Sequence, residues 1–124
     1  MKISEKKPTR KFLVGEQNQL TITDCGAIIL EPDEMVTLID SEGSEFDITK
    51  KNWGYYATPS INKRLKHNGF KTALVVNKAG DTYIMLVKEN HRNIFSEYLS
   101  GEGSKVVCWL DEDLSISTIE ESMK

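Results

Sequence analysis

Nucleophilic chemistry in this sequence would depend on very few residues. Cys25, in Asp24-Cys25-Gly26 at a predicted turn, is the candidate nucleophile, and His67 or His91 is the candidate base. A catalytic thiol needs a nearby base, and it must be exposed and have a lowered pKa. No motif typical of thiol enzymes surrounds Cys25. The sequence therefore favours an ordinary turn thiol, and no catalytic residue is assigned.

The sequence contains no motif that indicates a metal site or a bound cofactor. Two cysteines and two histidines without close spacing do not predict a metal site. The adjacent carboxylates of Asp33-Glu34 and Asp111-Glu112-Asp113 would point to opposite faces of a strand, so they indicate solvated loops rather than acid/base pairs. The glycine-rich phosphate loops and the hydrolase elbow are missing from the sequence. No cofactor is predicted.

Charge is strongly segregated along the chain. Residues 1–11 carry a net charge of +4, residues 12–49 carry −9, residues 50–80 carry +7 and residues 81–124 carry −5. Such asymmetry can mark a binding surface. It can equally arise because acidic and basic segments of one domain attract each other. The sequence leaves both interpretations open.

The basic segment also contains a cluster of aromatic residues. Aromatic rings beside cations suit an anionic ligand that carries a flat ring. A basic helix face is also commonly just solvated, and Trp and Tyr are common core residues. The predicted ligand-binding residues are Trp53, Tyr55, Tyr56, Lys63, Arg64, Lys66 and His67.

The overall charge bears on the class of partner. The net charge is −3, and the sequence pI is about 5.4. Binding to a phosphate backbone depends on long-range attraction to positive charge, so these values argue against nucleic acid. A small anionic ligand or a protein partner is predicted instead, and the oligomeric state is left open.

The first half of the chain has the pattern of short strands. Alternating or apolar runs occur at residues 20–23, 27–30, 35–39 and 46–48, with turn residues between them. The first eleven residues have little apolar content and are predicted to form a flexible basic N-terminus. Residues 12–124 are predicted to form a single α+β domain.

The second half alternates helices and strands. A helix over about Pro59–Asn68 is predicted, with Thr58 as its N-cap. Lys71–Val76 and Thr82–Lys88 are predicted to form a hairpin, and Asn90–Ser100 a second helix ended by Gly101. The predicted fold is an N-terminal antiparallel β-meander or partial barrel, followed by an α-β-β-α-β unit around one core.

Two predictions concern single strands. Cys108 lies in the apolar run Val106–Leu110 and is expected to be fully buried on a central strand. The strand–helix–strand order from Thr82 to Leu110 predicts a right-handed crossover with parallel strands.

The apolar runs are too short for a membrane helix, and no secretory signal is recognised, so a reduced, cytoplasmic protein is expected.

Residues 47–65 (DITKKNWGYYATPSINKRL) and 105–111 (KVVCWLD) carry a resemblance. The chain from about Phe12 to Asp111 resembles small uncharacterised bacterial proteins encoded near surface-carbohydrate biosynthesis genes. The resemblance implies a cytoplasmic, bacterial protein that is accessory to sugar or nucleotide-sugar chemistry. It assigns no catalytic residues.

Together these features favour a non-catalytic accessory or binding protein. Its working surface is predicted to be the segment from Trp53 to Lys71, which would bind an anionic ligand or a protein partner. The alternative is a small enzyme acting on an activated sugar or a related anion. Residues 48–80 contain no carboxylate and a single histidine, which weighs against this alternative.

Overall fold

The computed structural model describes residues 1–15 and 20–123, and it does not describe the side chains of residues 113–116. It shows a mixed α+β fold with antiparallel sheets. The chain divides into two compact units. Unit 1 comprises Met1–Leu38 and Phe46–Thr58, and unit 2 comprises Ile39–Glu45 and Pro59–Lys124. Among the described residues no helix is long and apolar enough to cross a membrane.

Unit 1 begins with a two-stranded antiparallel ribbon, formed by β1 (Lys2–Val14) and β2 (Leu20–Ile29). The predicted boundary at residue 11 therefore falls inside a strand. The turn expected at Asp24-Cys25-Gly26 is also wrong, because β2 runs through it. Lys6 and Arg10 of β1 donate to the Asp24 carboxylate at 2.6 and 2.9 Å, which ties this point of β2 to its partner strand.

Three shorter strands form a second sheet. They follow the order β3 (Met35–Ile39), β4 (Glu45–Lys51) and β5 (Gly54–Ala57). The predicted strands at residues 35–39 and 46–48 are confirmed. β4 and β5 are antiparallel, with Thr49 opposite Tyr56 and Lys50 opposite Tyr55. This register determines which β4 residue lies opposite each tyrosine of β5.

Unit 2 contains a three-stranded sheet. β6 (Phe70–Val76) and β7 (Thr82–Lys88) form the predicted hairpin, and β8 (Lys105–Trp109) pairs with the other edge of β6. Both neighbours are antiparallel to β6. β7 and β8 therefore run parallel to each other, as predicted, but β6 lies between them.

The hydrophobic core of unit 2 lies against this sheet. Ala73, Val75 and Leu99 are buried at its centre, and four partly buried side chains pack around them: Met85, Phe95, Val106 and Trp109. They come from all three strands of the sheet and from α2 (Arg92–Glu102). Phe95 and Leu99 of α2 thus face the sheet, as the helical periodicity indicates, whereas Ile94 and Tyr98 of the same apolar pattern are exposed.

The helix predicted over Pro59–Asn68 is mostly wrong. The helix α1 is short, Arg64–His67, and Lys63 rather than Thr58 precedes it. Thr58 is held by β4, because its N–H donates to the Asp47 carbonyl at 3.0 Å and its hydroxyl lies 2.6 Å from that of Thr49. These bonds to a strand prevent Thr58 from capping a helix.

The second helix is shifted from its prediction. Glu89–His91 forms a 3₁₀ turn, and α2 begins at Arg92. Asn90 does not cap the helix, since its side-chain amide donates to Glu42 at 3.0 Å. Gly101 lies inside α2. Gly103 ends the helix with φ at 68°, the left-handed conformation that glycine adopts at no steric cost.

The last helix, α3, spans Asp113–Ser122. The prediction of a fully buried Cys108 is wrong. β8 is an edge strand, and Cys108 is only partly buried. An edge strand has no neighbour on one side to exclude solvent.

A buried carboxylate joins the end of β8 to β6. Asp111 is completely inaccessible to solvent. Its carboxylate accepts from the Thr72 N–H and from the Lys71 ammonium, both at 2.9 Å, and the Leu110 N–H donates to the Thr72 carbonyl at 2.8 Å. Burial alone would raise the pKa of Asp111, but these donors and the charge of Lys71 hold the pKa below its usual value.

We expect Asp111→Asn to lower the free energy of unfolding by about 3 kcal/mol, because it leaves Lys71 without its buried partner. Glu112→Gln is the matched control. Glu112 lies 3.7 Å from Lys71 but is half exposed, so we expect a change within about 0.5 kcal/mol. Urea denaturation measures both. Similar stabilities for the two variants would contradict this role of Asp111.

The lowered pKa also predicts a pH dependence. Because Asp111 has a lower pKa when folded than when unfolded, its contribution is fully present above the unfolded pKa of about 3.9. It is lost as the pH falls through the folded pKa. Urea midpoints measured across this acid range should therefore fall less steeply in Asp111→Asn than in the wild type. An unchanged slope would contradict the assignment.

Candidate functional site

The predicted aromatic residues meet at the β4–β5 hairpin of unit 1. Trp53 sits in the turn, and Tyr55 and Tyr56 follow on β5. The three residues are 68%, 61% and 42% exposed. The rings of Trp53 and Tyr56 stack, with centroids 6.0 Å apart and planes inclined by 27°. The hairpin therefore presents the stacked rings of Trp53 and Tyr56 to solvent, and Tyr55 is exposed on the opposite face of the strand pair.

Two lysines of β4 accompany this aromatic hairpin (residues 50–56). The Lys50 ammonium lies 4.9 Å from the centroid of the Tyr55 ring, a cation–π contact across the strand pair. Lys51 forms an ion pair with Asp33 of the acidic segment. The hydrogen bond and charge of Asp33 raise the pKa of Lys51. Lys50 therefore stands beside Tyr55, on the face of the strand pair opposite to Tyr56, while Lys51 is neutralised within unit 1.

The predicted basic side chains lie in unit 2, in and around α1. Lys63, Arg64, Lys66 and His67 are all exposed, while Leu65 between them is buried. The Lys66 ammonium approaches the Asp111 carbonyl at 3.4 Å. These exposed residues form a basic patch on one short helix. Their predicted proximity to the aromatic hairpin stays a prediction.

His67 also borders a polar cavity of unit 2. The cavity has a volume of about 400 Å³ and is lined by Glu42, His67, Asn68, Gly69, Lys88, Glu89 and Asn90. Lys88 is already paired, at 3.2 Å from Asp40 and 3.8 Å from Glu42. Carboxylates and cations therefore balance each other here, and the cavity offers no strong preference for an anion.

Sequence reasoning missed a second cluster of cations and aromatic rings. The Lys71 ammonium and the Arg92 guanidinium lie 5.0 and 5.3 Å from the centroid of Trp109, and Phe95 meets the same ring edge-on at 5.9 Å. Trp109 opposes Ala73 on β6, so the alternation of β6 places Lys71 on its face. That register depends on the pairing of strands distant in sequence. No local pattern reveals it.

The groups around Cys25, the candidate nucleophile, do not support catalysis. Cys25 is exposed on β2, and its thiol approaches the Thr23 carbonyl at 3.7 Å. A carbonyl oxygen cannot act as the general base that a catalytic thiol needs. Within the residues that the structure describes, no three His, Cys, Asp or Glu side chains are arranged to hold a metal ion.

Comparisons with known proteins add no assignment: no family model matches the chain, and neither curated proteins nor solved structures gave a significant match.

The contrast between the two tryptophans is directly testable. With Trp109→Phe, emission comes from Trp53 and should be red-shifted and strongly quenched by acrylamide, because this ring is mostly exposed. With Trp53→Phe, emission comes from Trp109, which is packed against Phe95 and two cations, and it should be blue-shifted and quenched less. Equal quenching of the two variants would contradict the exposed aromatic hairpin.

Proposed function

We propose that the protein is a non-catalytic accessory or binding protein whose aromatic hairpin contacts an anionic ligand that carries a flat ring. The observation that carries the proposal is the exposed stack of Trp53 on Tyr56, with Lys50 beside Tyr55. Large aromatic side chains contribute much of their binding energy when they are covered by a partner. Leaving three of them in water on one hairpin favours a binding role.

The chemistry of the hairpin suits such a ligand. A planar ring can stack on an indole for about 1–3 kcal/mol. The Lys50 ammonium, beside Tyr55 on the other face of the hairpin, contributes longer-range attraction to a phosphate or carboxylate. The resemblance to proteins encoded beside surface-carbohydrate genes supports nucleotide sugars as the ligand class, because these carry both a flat base and phosphates.

The basic patch of unit 2 supports the same class of ligand. Lys63 and Lys66 are exposed, and residues 48–80 carry no acidic side chain. A local excess of positive charge raises the concentration of anions near the surface even where it makes no direct contact. An enzyme acting on an activated sugar would need an acid, base or nucleophile near its ligand, which this segment lacks except for His67.

Fluorescence titration tests the proposal. The Trp109→Phe variant reports Trp53 alone, and UDP-glucose, a CMP-sugar and polyphosphate serve as probes. We expect saturable quenching by at least one nucleotide sugar, weakening as salt is added, because exposed charges are screened beyond roughly 8 Å at physiological ionic strength. No saturable response to any of these probes would contradict the proposal.

Variants then locate the surface by calorimetry. Trp53→Ala should weaken binding about tenfold or more, since a lost stacking contact is worth about 1–3 kcal/mol. Tyr83→Ala is the matched control, because Tyr83 is an exposed aromatic residue on a different strand, β7. Equal affinity for Trp53→Ala and the wild type would place the ligand elsewhere and contradict the proposal.

A further inference from the structure

The β1–β2 ribbon has one edge that is protected against further pairing and one that is not. The edge strand β1 carries five cations, Pro8 and a register shift between Glu5 and Arg10. Charges, proline and irregular register are the devices by which proteins block sheet edges. β2 contains no proline, lysine or arginine, and its single charged residue is Asp24. Within the described chain β2 pairs with β1 alone.

The exposed side chains of the ribbon form an apolar face. Residues that pair across two strands lie on the same side of the sheet, so Phe12 shares a face with Ile22, and Ile3 shares a face with Ile28. Both pairs lie on the same face, because Ile22 and Ile28 are separated by an even number of positions along β2. All four are large and more than 40% exposed. They form two apolar ends of one face, separated by the Arg10–Asp24 ion pair. Two-stranded ribbons are only marginally stable in water unless a further strand or layer supports them.

We propose that two copies of this chain pair through the free edges of β2, forming a four-stranded antiparallel sheet with the order β1-β2-β2′-β1′. Charge selects this edge. Pairing two β1 strands would bring like cations together, whereas Asp24 of β2 is already neutralised by Lys6 and Arg10 of its own chain. When two β2 strands pair about a two-fold axis, the same contact covers the free edge of both copies.

The apolar ends of the ribbon determine the register. Facing residues must lie on the same side of the sheet, so odd positions face odd positions and even face even. Pairing centred on Cys25 places Ile22 of each copy opposite Ile28 of the other and Asp24 opposite Gly26. Shifting the centre to Asp24 would bring two carboxylates face to face, and shifting it to Gly26 would place Asp24 against Ile28.

Molecular mass in solution tests the pairing. We expect light scattering on a size-exclusion column to give twice the chain mass of 14.1 kDa across a micromolar to submillimolar series. Ile22→Lys combined with Ile28→Lys should reduce the mass to one chain. Leu13→Lys is the control, because Leu13 is also an exposed apolar residue but lies on β1 and on the opposite face of the ribbon. We expect it to remain a dimer.

Cross-linking tests the register without altering the apolar face. Residues opposite each other in antiparallel strands have Cα atoms about 4.5–5.5 Å apart, which suits a disulfide. Mild oxidation should therefore give a covalent dimer in the wild type and in Cys108→Ser, and none in Cys25→Ser. A monomeric wild type would overturn the proposal and leave the edge for a strand of another protein. A dimer that survives the double lysine variant, or that cross-links through Cys108, would also overturn it.

Discussion

A carboxylate removed from water loses several kcal/mol of hydration, which only nearby charge and hydrogen-bond donors can replace. Asp111 meets this condition because β6 supplies both the Thr72 N–H and the Lys71 ammonium. The end of β8 is thereby fixed against β6, and β8 carries Val106 and Trp109 into the core of unit 2. The sheet register, the position of Trp109 and the contacts of Lys71 all depend on this one buried group.

The ion pair between Lys71 and Asp111 also bears on the charge segregation of the sequence. Two cations of the basic segment form ion pairs within the protein: Lys71 with Asp111, and Lys51 with Asp33. The intramolecular interpretation of the charge pattern is therefore correct for these two residues. Lys50 lies beside Tyr55, and Lys63 and Lys66 are exposed in and around α1. Charge along the sequence alone does not separate these groups, because the separation depends on which strands pair.

The sequence predicted the elements that have strong local patterns. The β6–β7 hairpin and most of α2 follow from alternation and helical periodicity. Prediction from the sequence failed where a contact with a residue distant in sequence determines the local structure. Thr58 binds β4 instead of capping a helix, β2 continues through Asp24 because β1 neutralises it, and Cys108 lies on an edge strand. Each of these outcomes requires a partner that no local window contains.

The central claim is that the aromatic hairpin is the binding surface, and the two tryptophan indole N–H signals in a ¹⁵N-correlated NMR spectrum test it most directly. Trp53 is exposed on the hairpin, and Trp109 is packed between Phe95 and two cations in unit 2. On titration with UDP-glucose or a CMP-sugar, we predict that the Trp53 signal shifts in a saturable, salt-dependent manner while the Trp109 signal stays in place. A shift confined to Trp109, or no shift of either signal, would contradict the account.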